Sequence, residues 1–317
     1  METTESRLVK FGILISLQPP SIICYLASIH YIVSNRRARE ALHNHGPLVL
    51  LFVGLFTVIF DLSMILDFLR TGVVTPSTYS YCRMWAFFDM LLYALVCILM
   101  LWISIERHIL IFHQRQWLDT ERKRYFVHYL PLILIFGYLT AFYIYGGFIY
   151  PCENNFDYHV VLCGSLCFAF ADPVLGLYDQ FANSLIPILL IVIVNLGLWI
   201  RIVWQKYYRV RQAMEWRQHR KMIVQFVPVA VLYMSRYLTY GFLQCYHMIH
   251  GPTDLSTFIQ QVYFFHLFYL VGLLHPFVCL IGMPEVYRKW LPKRNRHITP
   301  TALNLNNRMT KLMITRF

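Results

Sequence analysis

Residues 82–112 read CRMWAFFDMLLYALVCILMLWISIERHILIF, and this stretch decides the fold. Its acids are Asp89 and Glu106. Trp85 to Ile105 supplies the roughly 20 largely apolar residues that a helix needs to cross hydrocarbon. Asp89 and Arg107 are 18 residues apart, which is five turns at 3.6 residues per turn. They therefore share a face, about 27 Å apart. One membrane helix carries an acid near one interface, a Glu-Arg pair near the other, and Cys82 just outside.

The rest of the chain repeats the theme. Its 317 residues are 58% hydrophobic and only 14% charged, against about 25% charged in soluble domains. Seven apolar spans are expected, at about 11–34, 47–69, 85–112, 127–150, 185–204, 222–246 and 258–282, each long enough for a bilayer of about 30 Å. Helices are the expected form, since a barrel would show short alternating segments. The expectation is an all-α membrane protein: a short extracellular segment 1–10, a seven-transmembrane helix bundle over 11–282, and a cytoplasmic tail over 283–317. In the tail, 284–291 (PEVYRKWL) reads as a short amphipathic helix lying on membrane lipid. METTESRLVK leads directly into the first span, which suits a signal anchor rather than a cleaved leader.

Lys and Arg set the orientation. Of 28, 23 fall in the segments after spans 1, 3, 5 and 7 or, as Arg107 and Arg201, at the span ends that lead into them. By the positive-inside rule the N-terminus is outside and the C-terminus inside. The net charge of +12 is then the ordinary cytoplasmic excess, and no nucleic-acid partner is expected. The connection between spans 4 and 5 has four acids and no Lys or Arg, a charge that can attract a cationic ligand. Cys82, Cys152, Cys163 and Cys167 lie in segments expected outside, where disulfides form, but spacing alone does not fix their connectivity. No cysteine has zinc-site spacing with histidine, so no metal or cofactor is expected. No HExxH, GxSxG or phosphate-binding loop is present, and the chain does not read as an enzyme.

The helix at 82–112 resembles the third helix of rhodopsin-like G-protein-coupled receptors. There an outer cysteine precedes, by 25 residues, the arginine of an Asp/Glu-Arg-Tyr triplet. Here Cys82 precedes Arg107 by 25, and the triplet is Glu106-Arg107-His108. The resemblance implies a plasma-membrane receptor that binds an extracellular peptide or amine and activates a heterotrimeric G protein. It implies a switch in Glu106, Arg107 and His108, in which the arginine pairs with its neighbouring acid at rest. It implies a disulfide from Cys82, with family spacing favouring Cys167 and then Cys163 as the partner. It also implies an ammonium site at Asp89, supported by Tyr269 seven residues before Pro276. Pro187 matches the helix-5 proline.

The chain departs from that family elsewhere. Span 7 carries His275-Pro276 where the family has Asn-Pro, with no tyrosine to follow. Span 6 lacks Cys-Trp-x-Pro, and its proline is Pro228. Asp61 lies about two turns beyond the usual helix-2 aspartate. His266 and His275 read as packing or network residues. Arg236, inside span 6, demands a partner at that depth; an ion pair to Asp89 or Asp61 competes with the ammonium site. A polytopic transporter or channel is the alternative function, for which polar residues should line a path through several helices.

Overall fold

The computed structural model describes residues 3–113, 117, 119–171, 173–208, 228–243, 246, 250, 251 and 253–282. Among the described residues the regular structure is helical throughout, with no strand. Six helices are long and apolar enough to cross a membrane: α1 (Thr4–Ser34), α2 (Leu42–Thr71), α3 (Tyr79–Phe112), α4 (Glu121–Ile149), α5 (Val174–Arg201) and α7 (Val262–Ile281). Between α5 and α7, residues 228–243 form a further helical segment, α6. The span expected at 222–246 thus falls partly, and the tail 283–317 with its amphipathic segment 284–291 wholly, outside the described residues.

Local chemistry places the helix starts. The Thr3 hydroxyl accepts from Ser6 N (3.3 Å), and the Thr120 hydroxyl accepts from Lys123 N (3.4 Å), so each caps backbone donors that the first turn leaves unpaired. Because of the first cap, α1 begins seven residues before the expected boundary and takes up most of the segment 1–10. Its buried residues, Leu14, Ser21, Tyr25, Ser28 and Ile32, recur at helical spacing and form one stripe. α2 ends at Gly72, whose φ of 80° is the left-handed cap that glycine takes without a Cβ penalty.

α3 is the central helix. It packs against α2, α4 and α5, while α1 packs on α2 and α7. Two-thirds of its apolar window is buried, against 28% in α1 and α4. Outward-facing side chains elsewhere are apolar, among them Ile133, Ile193, Trp199 and Val231. Water makes such a surface costly and hydrocarbon does not, which is the pattern of a multi-pass membrane protein.

Wider, π-type turns interrupt several helices, at Thr57–Asp61 in α2, Tyr125–Tyr129 in α4, Asp179–Leu185 in α5 and Gln260–Phe264 at the start of α7. Each inserts a residue and rotates the downstream part of its helix, and such turns gather at functional positions. Asp61 closes the first of them.

The connection between α4 and α5 is held by two disulfides, Cys82–Cys163 and Cys152–Cys167. This corrects the expected Cys82–Cys167 pairing in favour of its alternative. The reason is a closed ring. Cys167 N donates to Asn154 Oδ1 (2.8 Å), bringing the end of the loop back to its start, where Cys152 waits. The middle of the ring then reaches α3. There Val161–Cys163 makes a tight turn in which Leu162 and Cys163 have φ of 60° and 54°, a costly conformation for side-chain-bearing residues. Val74 N donates to Tyr158 O (2.9 Å) and pins the ring to the segment between α2 and α3.

Candidate functional site

At the disulfide end of the bundle, three helices converge on two carboxylates. The Tyr269 hydroxyl of α7 lies 2.8 Å from Asp61 Oδ2 of α2 and 2.9 Å from Asp89 Oδ1 of α3. Trp85 Nε1, one turn before Asp89 on α3, donates to the other oxygen of Asp61 (3.1 Å). The expected pairing of Asp89 with Tyr269 is present, and Asp61 joins it. The wide turn at Thr57–Asp61 helps to set the facing of Asp61, which reading α2 as a regular helix would miss. Trp85 was legible in principle, since residues four apart on a helix are neighbours.

Arg236 stands beside this cluster. It is 3% exposed, and its guanidinium carbon lies 3.9 Å from the Phe268 ring centre, 4.7 Å from Tyr237 and 4.9 Å from Tyr93. Among the described residues, neither terminal nitrogen of Arg236 has a hydrogen-bond partner. The expected ion pair to Asp89 or Asp61 is therefore not formed. Tyr269 and Trp85 hold the carboxylates, and the aromatic walls hold the guanidinium. Three cation–π contacts contribute up to about 2 kcal/mol each when desolvated. That offsets the several kcal/mol of effective penalty for burying the charge, but leaves donors unpaired, at about 1–3 kcal/mol for each. Both terminal nitrogens thus keep hydrogen-bonding capacity while buried.

The other end of α3 is organised differently. Glu106 Oε1 meets His128 Nδ1 of α4, at 6% and 1% side-chain exposure respectively. His128 Nε2 faces His45 Nδ1 of α2 (2.9 Å), and His45 Nε2 reaches Arg39 O (2.7 Å). Arg107, 2% exposed, donates from Nη2 to His43 O (2.6 Å). The neighbouring acid and arginine thus turn to different helices, as adjacent residues about 100° apart on a helix do. A Cβ on Gly46 would sit 2.9 Å from Ile103 Cγ1 and 3.1 Å from Glu106 Oε2, so glycine lets α2 approach closely here. His108 lies against Phe112, ring centres 4.9 Å apart, away from the Glu106–His128 pair. Neither His45 nor His128 was singled out in the sequence. Lone histidines at unremarkable spacing gave no signal.

A third network surrounds His275 and Pro276 of α7. Pro276 has no N–H, so the carbonyl of Gly272, four residues earlier, loses its helical donor. The Tyr25 hydroxyl of α1 supplies one at 2.8 Å. The same oxygen lies 3.2 Å from His275 Nδ1, and His275 Nε2 lies 3.2 Å from Cys279 Sγ. Gly54 of α2 makes room, because a Cβ there would lie 2.4 Å from the Tyr25 hydroxyl. Tyr25 thereby ties α1, α2 and α7 at the proline. His275 is a network residue, as expected.

No protein-family model matches this chain, and no curated protein matches it. Among the described residues no group of three or more His, Cys, Asp or Glu is placed to hold a metal ion.

Proposed function

We propose that the chain is a seven-helix G-protein-coupled receptor of the plasma membrane, with the N-terminus extracellular and the C-terminus cytoplasmic. An extracellular ligand, a short peptide or an amine, enters beside Asp89 and shifts an existing equilibrium between two arrangements of the bundle. At the cytoplasmic face Arg107 exchanges its internal partner for a heterotrimeric G protein.

One observation carries this reading. A single unbroken 34-residue helix has two polar clusters, one near each end. Asp89 is tied to α2 and α7 at the disulfide end, and Arg107 is buried against the first turn of α2 at the other. A rigid helix joining the two can transmit a change at the first to the second. Two carboxylates sharing one hydroxyl proton also attract a cationic group, which suits a ligand ammonium.

The test is G-protein nucleotide exchange in cells expressing wild type or Arg107→Ala at matched surface levels, challenged with amines and short peptides. A ligand-dependent signal that Arg107→Ala abolishes is the expected result. Ion current or solute uptake that survives Arg107→Ala, with no exchange signal, would replace this reading with a transporter or channel.

A further inference from the structure

Five acids of the described spans have hydrogen-bond or ion-pair partners other than Arg236. Asp61 and Asp89 are held by Tyr269 and Trp85. Asp67 takes Arg70 and Thr75, and Asp179 takes Tyr143 and Asn183. Glu106 takes His128. Among the described residues neither terminal nitrogen of Arg236 has a hydrogen-bond partner, and its link to Asp89 is one of charge alone, without contact. The two nitrogens belong to a fixed planar fork whose geometry matches an oxyanion bidentately, set among Phe268, Tyr93 and Tyr237.

We infer that Arg236 anchors the carboxylate of an organic ligand, whose apolar or aromatic body packs against Phe268, Tyr93 and Tyr237. This rests on the receptor reading only in naming that molecule as the activating ligand. The class follows from the charge balance. One guanidinium is a single positive charge beside two carboxyl groups, so it neutralises one negative charge, and the second charge of a phosphate dianion would stay buried without a counter-charge. Aromatic walls exclude small, strongly hydrated anions and favour an organic acid. A ligand amine, where present, falls beside Asp89. The site then reads both ends of a zwitterion, with the carboxylate as the obligatory end. Free organic acids and peptide C-termini share this chemistry.

The test uses the purified full-length chain in detergent, with no G protein present. The probes are phenylacetate and 4-phenylbutyrate against their neutral amides, the dipeptide Ala-Phe as free acid against its amide, and inorganic phosphate. A saturating carboxylate raises the unfolding temperature by about 5 °C, as ligand linkage gives near 100-fold excess over Kd. The amides and phosphate leave it within about 1 °C on the same scale. Arg236→Gln abolishes the response. Arg236→Lys keeps the charge, loses the fork, and shifts half-saturation about tenfold higher, as one lost hydrogen bond to a charged group would. Response to the organic acids or to the dipeptide acid alone identifies the source. Carboxylates that leave wild type unchanged overturn the inference, and so does an equal response from Arg236→Gln or, should that variant not fold, from Arg236→Lys. A carboxylate response without G-protein exchange keeps the site and removes the receptor reading. Exchange driven by amines without a carboxylate response does the reverse.

Discussion

The two ends of α3 bury charge in opposite ways. Around Glu106 the acid meets His128, the histidine meets His45, and that histidine meets a backbone carbonyl. Around Arg236 the nearby acids are held by neutral donors, and two guanidinium nitrogens face aromatic rings without a hydrogen bond. A buried charge paired within the fold favours the fold when its partner is kept, and strongly disfavours it when the partner is removed. A buried charge left without a hydrogen bond costs stability at rest, and the proposed carboxylate ligand would supply the missing bonds. The contrast separates a structural polar network from a receiving one.

The sharpest way to break the comparison is His128→Ala. It strips Glu106 of its partner at a buried position and is expected to cost about 3–5 kcal/mol, read as a fall in unfolding temperature of the purified chain. Next comes Gly54→Ala. The added carbon lies 2.4 Å from the Tyr25 hydroxyl, so the tyrosine must move and Gly272 O loses its donor; overpacking and the lost bond together cost about 2–3 kcal/mol. Combining Gly54→Ala with Tyr25→Phe should be less than additive, because the two act on one contact. Tyr269→Phe removes the hydroxyl between Asp61 and Asp89 and should cost about 1–2 kcal/mol. Its readout is the same melt, and a cost near that of His128→Ala would mean that this end is as tightly self-satisfied as the other. Peptide mapping of the non-reduced chain sharpens the setting of the site without perturbing it. Fragments joined through Cys82–Cys163 and Cys152–Cys167 are expected, and a Cys82–Cys167 fragment would overturn the ring.

Much of this was legible in the sequence. Apolar runs placed six of the seven expected spans, because a hydrocarbon-crossing helix leaves a long run of uncharged residues; the expected span 222–246 lies partly outside the described residues. Helical periodicity placed Asp89 and Arg107 on one face of α3, and Tyr269 was correctly set near Asp89. The features that escaped depended on register or on the third dimension. The wide turn in α2 helps to turn Asp61 inward, and no residue pattern announces such a turn. The cysteine connectivity depended on Asn154 folding the loop back on itself, which spacing to Pro187 could not reveal. Glu106 was expected to rest against its neighbour Arg107; its partner proved to be His128, 22 residues away on α4. For Arg236 a partner was rightly demanded, since an arginine at that depth is expensive. The fold supplies rings rather than a carboxylate.

The contrast itself is tested most directly by melting wild type, Arg236→Met and His128→Ala side by side in the same detergent without added ligand. If Arg236 is an unpaired charge held for an incoming group, Arg236→Met melts at or above wild type, by up to about 1 kcal/mol of added stability, because an apolar side chain replaces an unsatisfied cation. His128→Ala melts well below. If Arg236→Met instead loses as much stability as His128→Ala, the guanidinium is already satisfied within the fold, and the two ends of α3 do not differ in the way described.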